Sequence, residues 1–193
     1  DAGAARVGER EARIASDLHL KTSGGFCHGV GRSGFLTAPQ PKAPGGSIMY
    51  ELSNYLARHV LKRFGLPNVK KAIVVPMCTG MSLALTLSAL KPDWNDEKST
   101  NKRTILVPRV DHNSLLNALN FLGLKTKIIN GKVFGDAVRV PIEDIRDAHD
   151  ENCFAILSVT SFFPPREHDD LKAISKLAEE KNLAHVIVNA YGV

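Results

Sequence analysis

Gly29-Val30-Gly31-Arg32-Ser33-Gly34, followed by Gln40-Pro41-Lys42-Ala43-Pro44-Gly45-Gly46-Ser47, gathers glycines, prolines, hydroxyls and two cations with almost no large apolar side chain. Such a run cannot bury a core face. It can form a loop whose backbone N–H groups and cations converge on an anion, with Arg32 offering a planar fork to phosphate oxygens. A turn-rich surface connection is the plainer alternative. Further along, Cys78-Thr79-Gly80-Met81-Ser82 opens an apolar helical pattern. N–H groups there would sit at a helix N-terminus, where a phosphate is favoured, although a cap followed by a turn glycine has the same look. The stretch Arg109-Val110-Asp111-His112-Asn113-Ser114 is unusually polar for a helix entry. His112 there could stack on a flat ring, act as acid or base, or cap the helix. Asn189 could hydrogen-bond a heterocycle nitrogen or serve a turn.

The elements that position these residues follow from hydrophobic periodicity. Helices are expected over 6–20, 48–64, 79–90, 113–122, 140–148 and 169–181, with Ser47 as the N-cap of the second and Gly65 as its stop. Short apolar runs at 72–76, 104–107, 126–129, 154–159 and 185–188 read as buried strands. The polar segment 92–102 reads as an exposed connection. Alternating strands and helices of this length predict an α/β fold, a mostly parallel sheet with helices on both faces. Ligands of such sheets lie beyond the carboxyl ends of the strands, and the polar stretches above fall there, together with Thr160-Ser161-Phe162-Phe163-Pro164-Pro165-Arg166.

Composition narrows the class. With 193 residues, 44% hydrophobic and 23% charged, the chain suits one well-buried domain or a little more. A net charge of +5 permits a phosphorylated or nucleic-acid partner without demanding one, because no block of like charge is present. Cys27, Cys78 and Cys153 are widely spaced and odd in number, which reads as reduced thiols of an intracellular protein. The seven histidines show no metal-ligand spacing. No apolar run is long enough to span a bilayer, so no membrane association is expected. A Rossmann dehydrogenase is disfavoured because no G-x-G-x-x-G follows a strand, and a P-loop NTPase because G-x-x-x-x-G-K-[ST] is absent. A phosphate cup early in the sheet with a ring-contacting residue much later is the order of a pyridoxal phosphate enzyme of the aspartate-aminotransferase-like fold type.

Five stretches carry a more specific resemblance: Gly8-Glu9-Arg10-Glu11-Ala12-Arg13, His28 to Gly34, Gln40 to Ala43, Val75 to Ser82, and Asn189-Ala190-Tyr191-Gly192-Val193. In this order, and over essentially the whole chain, they resemble the O-phosphoseryl-tRNA(Sec) selenium transferases. The resemblance implies the large catalytic domain of pyridoxal phosphate (PLP) fold type I, incomplete at both ends. Residues 1–47 would form an N-terminal helix and substrate-phosphate loop, and 48–193 part of the PLP-binding domain. It implies a cytoplasmic homotetramer acting on selenocysteine tRNA charged with phosphoserine: the α-proton and the β-phosphate are lost, and selenophosphate adds. Arg10, Arg32, Ser33, Gln40 and Lys42 would hold the phosphate of phosphoserine. Cys78, Thr79 and Gly80 would receive the cofactor phosphate, with His112 beside the ring and Asn189 toward the pyridine. The Schiff-base lysine and the small domain are expected beyond Val193, so the chain alone is expected to be inactive. Asn113 departs from the Lys expected in the animal enzymes. Two other readings share these residues: a PLP lyase or decarboxylase of the same fold acting on a free phosphorylated amino acid, and a non-catalytic module that binds RNA or phosphate.

Overall fold

In the computed structural model, residues 17–22, 44–91, 102–160 and 164–190 are described. They belong to two compact units, Asp1–Pro76 and Met77–Val193. The first unit holds α1 (Asp17–Thr22) and α2 (Pro44–Arg63). α2 begins three residues before Ser47, so that serine lies inside the first turn and is not the cap. The fixed φ of Pro44 suits a first helical position and starts the helix despite the glycines that follow. Just past its end, Gly65 takes φ 117°, a conformation that suits glycine.

The segment 72–76, expected as a buried strand, is not one. Ile73 and Val74 are exposed and the residues form no ladder among the described residues. The Val74 N–H donates instead to Asn54 Oδ1 at 2.7 Å. Apolar composition permits a strand, but pairing makes one.

The second unit runs α3 (Thr79–Leu90), β1 (Thr104–Pro108), α4 (Asn113–Phe121), β2 (Lys125–Ile129), β3 (Lys132–Phe134), β4 (Ala137–Arg139), α5 (Ile142–Asp147), β5 (Cys153–Val159), α6 (Leu171–Glu180) and β6 (Ala184–Val188). Strands β2-β1-β5-β6 form a sheet in that order, every pair parallel. The two central strands are buried along their whole length, while β2 and β6 are partly exposed at the edges. That is how a parallel sheet covered on both faces reads.

Alternation sorts the side chains. Ile105 and Val107 of β1 pack with Leu83 and Leu87 of α3 and with Leu115 and Leu119 of α4. Leu106 faces the other way, toward Ile145 of α5 and Ile174 and Leu177 of α6. In β5 the register shifts between Thr104 and Ile105 of its partner, which opposes Cys153 and Ala155 in turn. Phe154 is the extra residue. The bulge puts Phe154 and Ala155 on the α3–α4 face, with Cys153 and Ile156 on the α5–α6 face. Helices therefore cover both faces, as the periodicity predicts.

The β3–β4 hairpin is absent from the sequence-based expectation. Its strands are three residues each and β3 is fully exposed, so no periodicity marks it. The signal that was available is Gly135-Asp136 between Phe134 and Ala137, a two-residue turn with Gly135 at φ 65°. Lys132 reaches Asp144 of α5 at 2.6 Å.

His185 of β6 bridges two hydroxyls, Ser158 Oγ of β5 at 2.7 Å from Nε2 and Ser175 Oγ of α6 at 2.9 Å from Nδ1. Burial pushes its pKa below the ordinary histidine value, against an opposing pull from the Asp169 carboxylate. His149 is also lowered, by burial first and then by nearby lysines. A folded-state value below the unfolded one means that the unfolded chain binds more protons, so stability rises with pH through this range. These two histidines therefore contribute fully above about pH 6.5 and less as pH falls. Urea midpoints should decline between about pH 7 and 5, with a shallower decline in His185→Gln. A midpoint that rises on acidification would contradict this assignment.

Candidate functional site

Because the four strands are parallel, their carboxyl ends share one rim. The ends of β1, β5 and β6 bring Arg109–Ser114, Thr160 and Asn189 to it. The fourth polar strand end expected from the sequence, before Cys78, is not a strand end, since 72–76 forms no strand. Cys78 leads instead from irregular backbone into α3.

Two helix starts meet at this rim. A Cβ placed on Gly80 in the first turn of α3 would lie 3.3 Å from the Ser114 carbonyl oxygen and 3.7 Å from its Cβ, so glycine permits the approach to the first turn of α4. At α3 the N-cap is Cys78, which makes no side-chain capping bond, and the first bond closing onto the cap is Ser82 N–H to the Cys78 carbonyl at 3.0 Å. The N–H groups of Thr79, Gly80 and Met81 precede that bond and have no intrahelical acceptor, which is the donor array an anion uses. At α4 the cap is His112: its Nδ1 accepts from the Ser114 N–H at 3.2 Å. The capping alternative for His112 is thus realised, and it fixes the neutral ring's proton on Nε2.

On the β5–β6 side, Thr160 Oγ1 donates to Asn189 Oδ1 at 2.5 Å. That bond takes one acceptor site of the amide oxygen and leaves the amide hydrogens of Asn189 as donors toward a further group. Behind the rim lies a network with no periodic signature. Asp169, 2% exposed, accepts from the Val159 N–H at 2.9 Å and from Arg166 Nη2 at 2.5 Å. Arg166 also donates from Nε to the Arg109 carbonyl at 3.2 Å and from Nη1 to the Glu167 carbonyl. Arg139 of the hairpin forks onto Glu167, Nε to Oε2 at 2.5 Å and Nη2 to Oε1 at 3.2 Å, and holds that carboxyl below its ordinary range. The hairpin is tied down by the Val138 N–H to the Pro165 carbonyl (2.8 Å) and the Glu167 N–H to the Val138 carbonyl (2.9 Å).

A cleft of about 630 Å³ at the opposite end of the strands from the rim is lined by Arg103 just before β1, Lys125 and Lys127 of β2, and Asp150 before β5. Lys127 holds Asp150 at 2.5 Å and keeps its carboxyl low. Among the described residues no group of three His, Cys, Asp or Glu side chains could hold a metal ion. No described helix is long and apolar enough to cross a membrane.

Comparison with known proteins decides the family. The family model described as O-phosphoseryl-tRNA(Sec) selenium transferase matches residues 1–193. The chain belongs to that family. It is 41% identical over 198 residues to the O-phosphoseryl-tRNA(Sec) selenium transferase of Methanocaldococcus jannaschii, which takes in 100% of this chain and 44% of the relative. It is 43% identical to that of Methanopyrus kandleri, again over 100% of this chain and 43% of the relative. The chain thus spans less than half the length of these relatives. The crystal structure of an archaeal member of the family matches with a TM-score of 0.78 and 39% identity, over 97% of this chain and 42% of that one.

Against this family, the rim brings together Cys78, Thr79, Gly80 and His112 at the paired helix starts, and Asn189 with Thr160. Arg10, Arg32, Ser33, Gln40 and Lys42 lie outside the described residues. Sequence reading did not single out Asp169 or Asn130, whose roles arise only when separate loops meet.

Proposed function

We propose that the protein carrying this chain converts O-phosphoseryl-tRNA(Sec) to selenocysteinyl-tRNA(Sec), with PLP as cofactor and selenophosphate as selenium donor. The observation that carries this reading is the match of the family along the entire chain. The rim fits the cofactor: an α3 start without a side-chain cap, held close to α4 by Gly80, offers a phosphate the N–H groups of Thr79 and Gly80 beside Cys78. When bound, PLP supplies the electron sink that acidifies the α-carbon and allows a β-substituent to leave.

The residues of this chain supply the rest. The α3 N-terminus binds and orients the cofactor phosphate with its dipole. His112, its Nδ1 engaged by the α4 backbone, would lie beside the cofactor ring. Asn189, its oxygen engaged by Thr160, offers amide hydrogens to the pyridine side. Arg10, Arg32, Ser33, Gln40 and Lys42 would grip the phosphate of phosphoserine and offset its charge as it departs. The same family reading makes the protein a cytoplasmic homotetramer of PLP fold type I.

The test is conversion by the whole protein with PLP and selenophosphate. Phosphoseryl-tRNA(Sec) should yield selenocysteinyl-tRNA(Sec), while free O-phosphoserine should not react. Consumption of free O-phosphoserine as fast as the tRNA-bound form would replace this reading with a small-molecule lyase.

A further inference from the structure

Beside His112 the rim opens into a second feature, a cleft of about 470 Å³. It lies between Arg109 and Asp111 at the end of β1, Asn130 at the end of β2, Val138 of the hairpin, and Pro164 and Pro165. Its volume falls within the usual range of small-molecule sites. Arg109 is stretched between two partners, Nε to Asp111 Oδ1 at 3.0 Å and Nη1 to Asn130 Oδ1 at 3.2 Å. Those bonds leave the Nη2 hydrogens of Arg109 and the amide hydrogens of Asn130 without a partner among the described residues. Arg166 fixes the backbone of Arg109 from behind and is a positioning residue. Gly131 keeps the hairpin close, since a Cβ there would lie 2.5 Å from Val138 Cγ1.

The charge balance says what such a cleft takes. Arg109 is cancelled by Asp111, and Arg166 by Asp169. A small multiply charged anion gains little from a neutral cleft that includes a carboxylate. A nucleoside gains from all of it: a guanidinium plane and a proline–valine wall for stacking, and an amide and a carboxylate for base and ribose edges. Asn130 suits adenine in particular: its amide hydrogens can donate to N7, and its oxygen, which accepts from Arg109 at one site, can accept from the N6 amine at the other.

We propose that this cleft seats the 3′-terminal adenosine of the RNA that bears the amino acid, with Asn130 on the base edge and Arg109 against its ring or phosphate. The proposal rests on the reaction proposed above, in which the reacting amino acid is an ester of the terminal ribose. So short a tether obliges the terminal nucleoside to lie next to the reaction centre, and the cleft begins three residues before His112.

The test uses the whole PLP-loaded protein and adenosine 5′-monophosphate as probe, with binding measured by equilibrium dialysis. Saturable binding that inorganic phosphate does not displace, weakened about tenfold in Asn130→Ala and in Arg109→Ala, is expected. In steady state, Asn130→Ala should raise KM for phosphoseryl-tRNA(Sec) about tenfold with kcat within about twofold. Displacement of the nucleotide by phosphate alone, or unchanged KM and binding in both variants, would overturn the assignment. Wild-type protein that binds the nucleotide through Asn130 yet leaves phosphoseryl-tRNA(Sec) unreacted would support the nucleoside cleft and refute the proposed reaction.

Discussion

Replacing Asp169 by Ala is expected to cost the fold about 3–5 kcal/mol, the loss typical of breaking a buried ion pair from one side. The carboxylate side chain is 1% exposed and its partner Arg166 10% exposed, so neither charge can turn to water when the other is removed. Ala would strand the Arg166 guanidinium and the Val159 N–H together. Asp169→Asn retains an acceptor for Val159 while losing the counter-charge, and should fall between Ala and wild type. The double replacement Arg166→Met with Asp169→Leu removes both charges and should cost less than Asp169→Ala alone. Chemical denaturation followed by far-UV circular dichroism orders the three variants. If the double variant is the least stable, the charges do more for the fold than their mutual desolvation allows. The pair also steers the rim, because Arg166 holds the Arg109 carbonyl and Asp169 the last residue of β5.

That network shows where the sequence stops being legible. The strands at 104–107, 126–129, 154–159 and 185–188 are read within a residue of their ends, because each is a dense apolar run between turn signals. The helix over 79–90 is read to the residue. The error at 72–76 comes from the same rule: Ala72-Ile73-Val74-Val75 has the composition of a strand, and composition carries no information about a partner. The hairpin fails for the opposite reason, since three-residue strands with an exposed face leave no period to detect.

At the site, polar stretches at helix starts and strand ends stand out in the sequence: Thr79 and Gly80 at the start of α3, His112 after β1, and Asn189 after β6. Which contacts these side chains make is not written in the sequence: that of His112 is local and that of Asn189 crosses the fold. His112 is a cap because its ring turns back onto Ser114, two residues on. Asn189 is oriented by Thr160, 29 residues away, which donates to its amide oxygen. In the sequence Asp169 looks like an ordinary surface charge and Arg166 like one more member of a polar strand exit, and only the return of the loop beneath β5 buries them as a pair.

Gly80 is the residue on which the proposed cofactor site turns. Glycine inside a helix costs roughly 0.5–1 kcal/mol relative to alanine, so if only the helix mattered, Gly80→Ala would stabilise the protein. The structure opposes that gain, because the new Cβ would sit 3.3 Å from the Ser114 carbonyl oxygen, part of a helix backbone with little room to move. Gly80→Val adds two methyl groups at the same place and should force the starts of α3 and α4 apart. Separated, the N–H groups of the α3 first turn no longer face a cup closed by α4. A charge-assisted hydrogen bond contributes about 1.5–3 kcal/mol, so losing one such contact to the cofactor phosphate should weaken PLP binding about 10- to 100-fold. Titration of the whole protein with PLP, followed by the cofactor's absorbance, measures this, and circular dichroism at the same concentrations shows whether the fold persists. Thr79→Ala is the comparison: it removes a hydroxyl while leaving the helix spacing and the backbone donors in place, and should weaken PLP binding less than Gly80→Val. Wild-type PLP affinity in a folded Gly80→Val protein would mean that the phosphate is held elsewhere, and the paired helix starts would then be a packing feature alone.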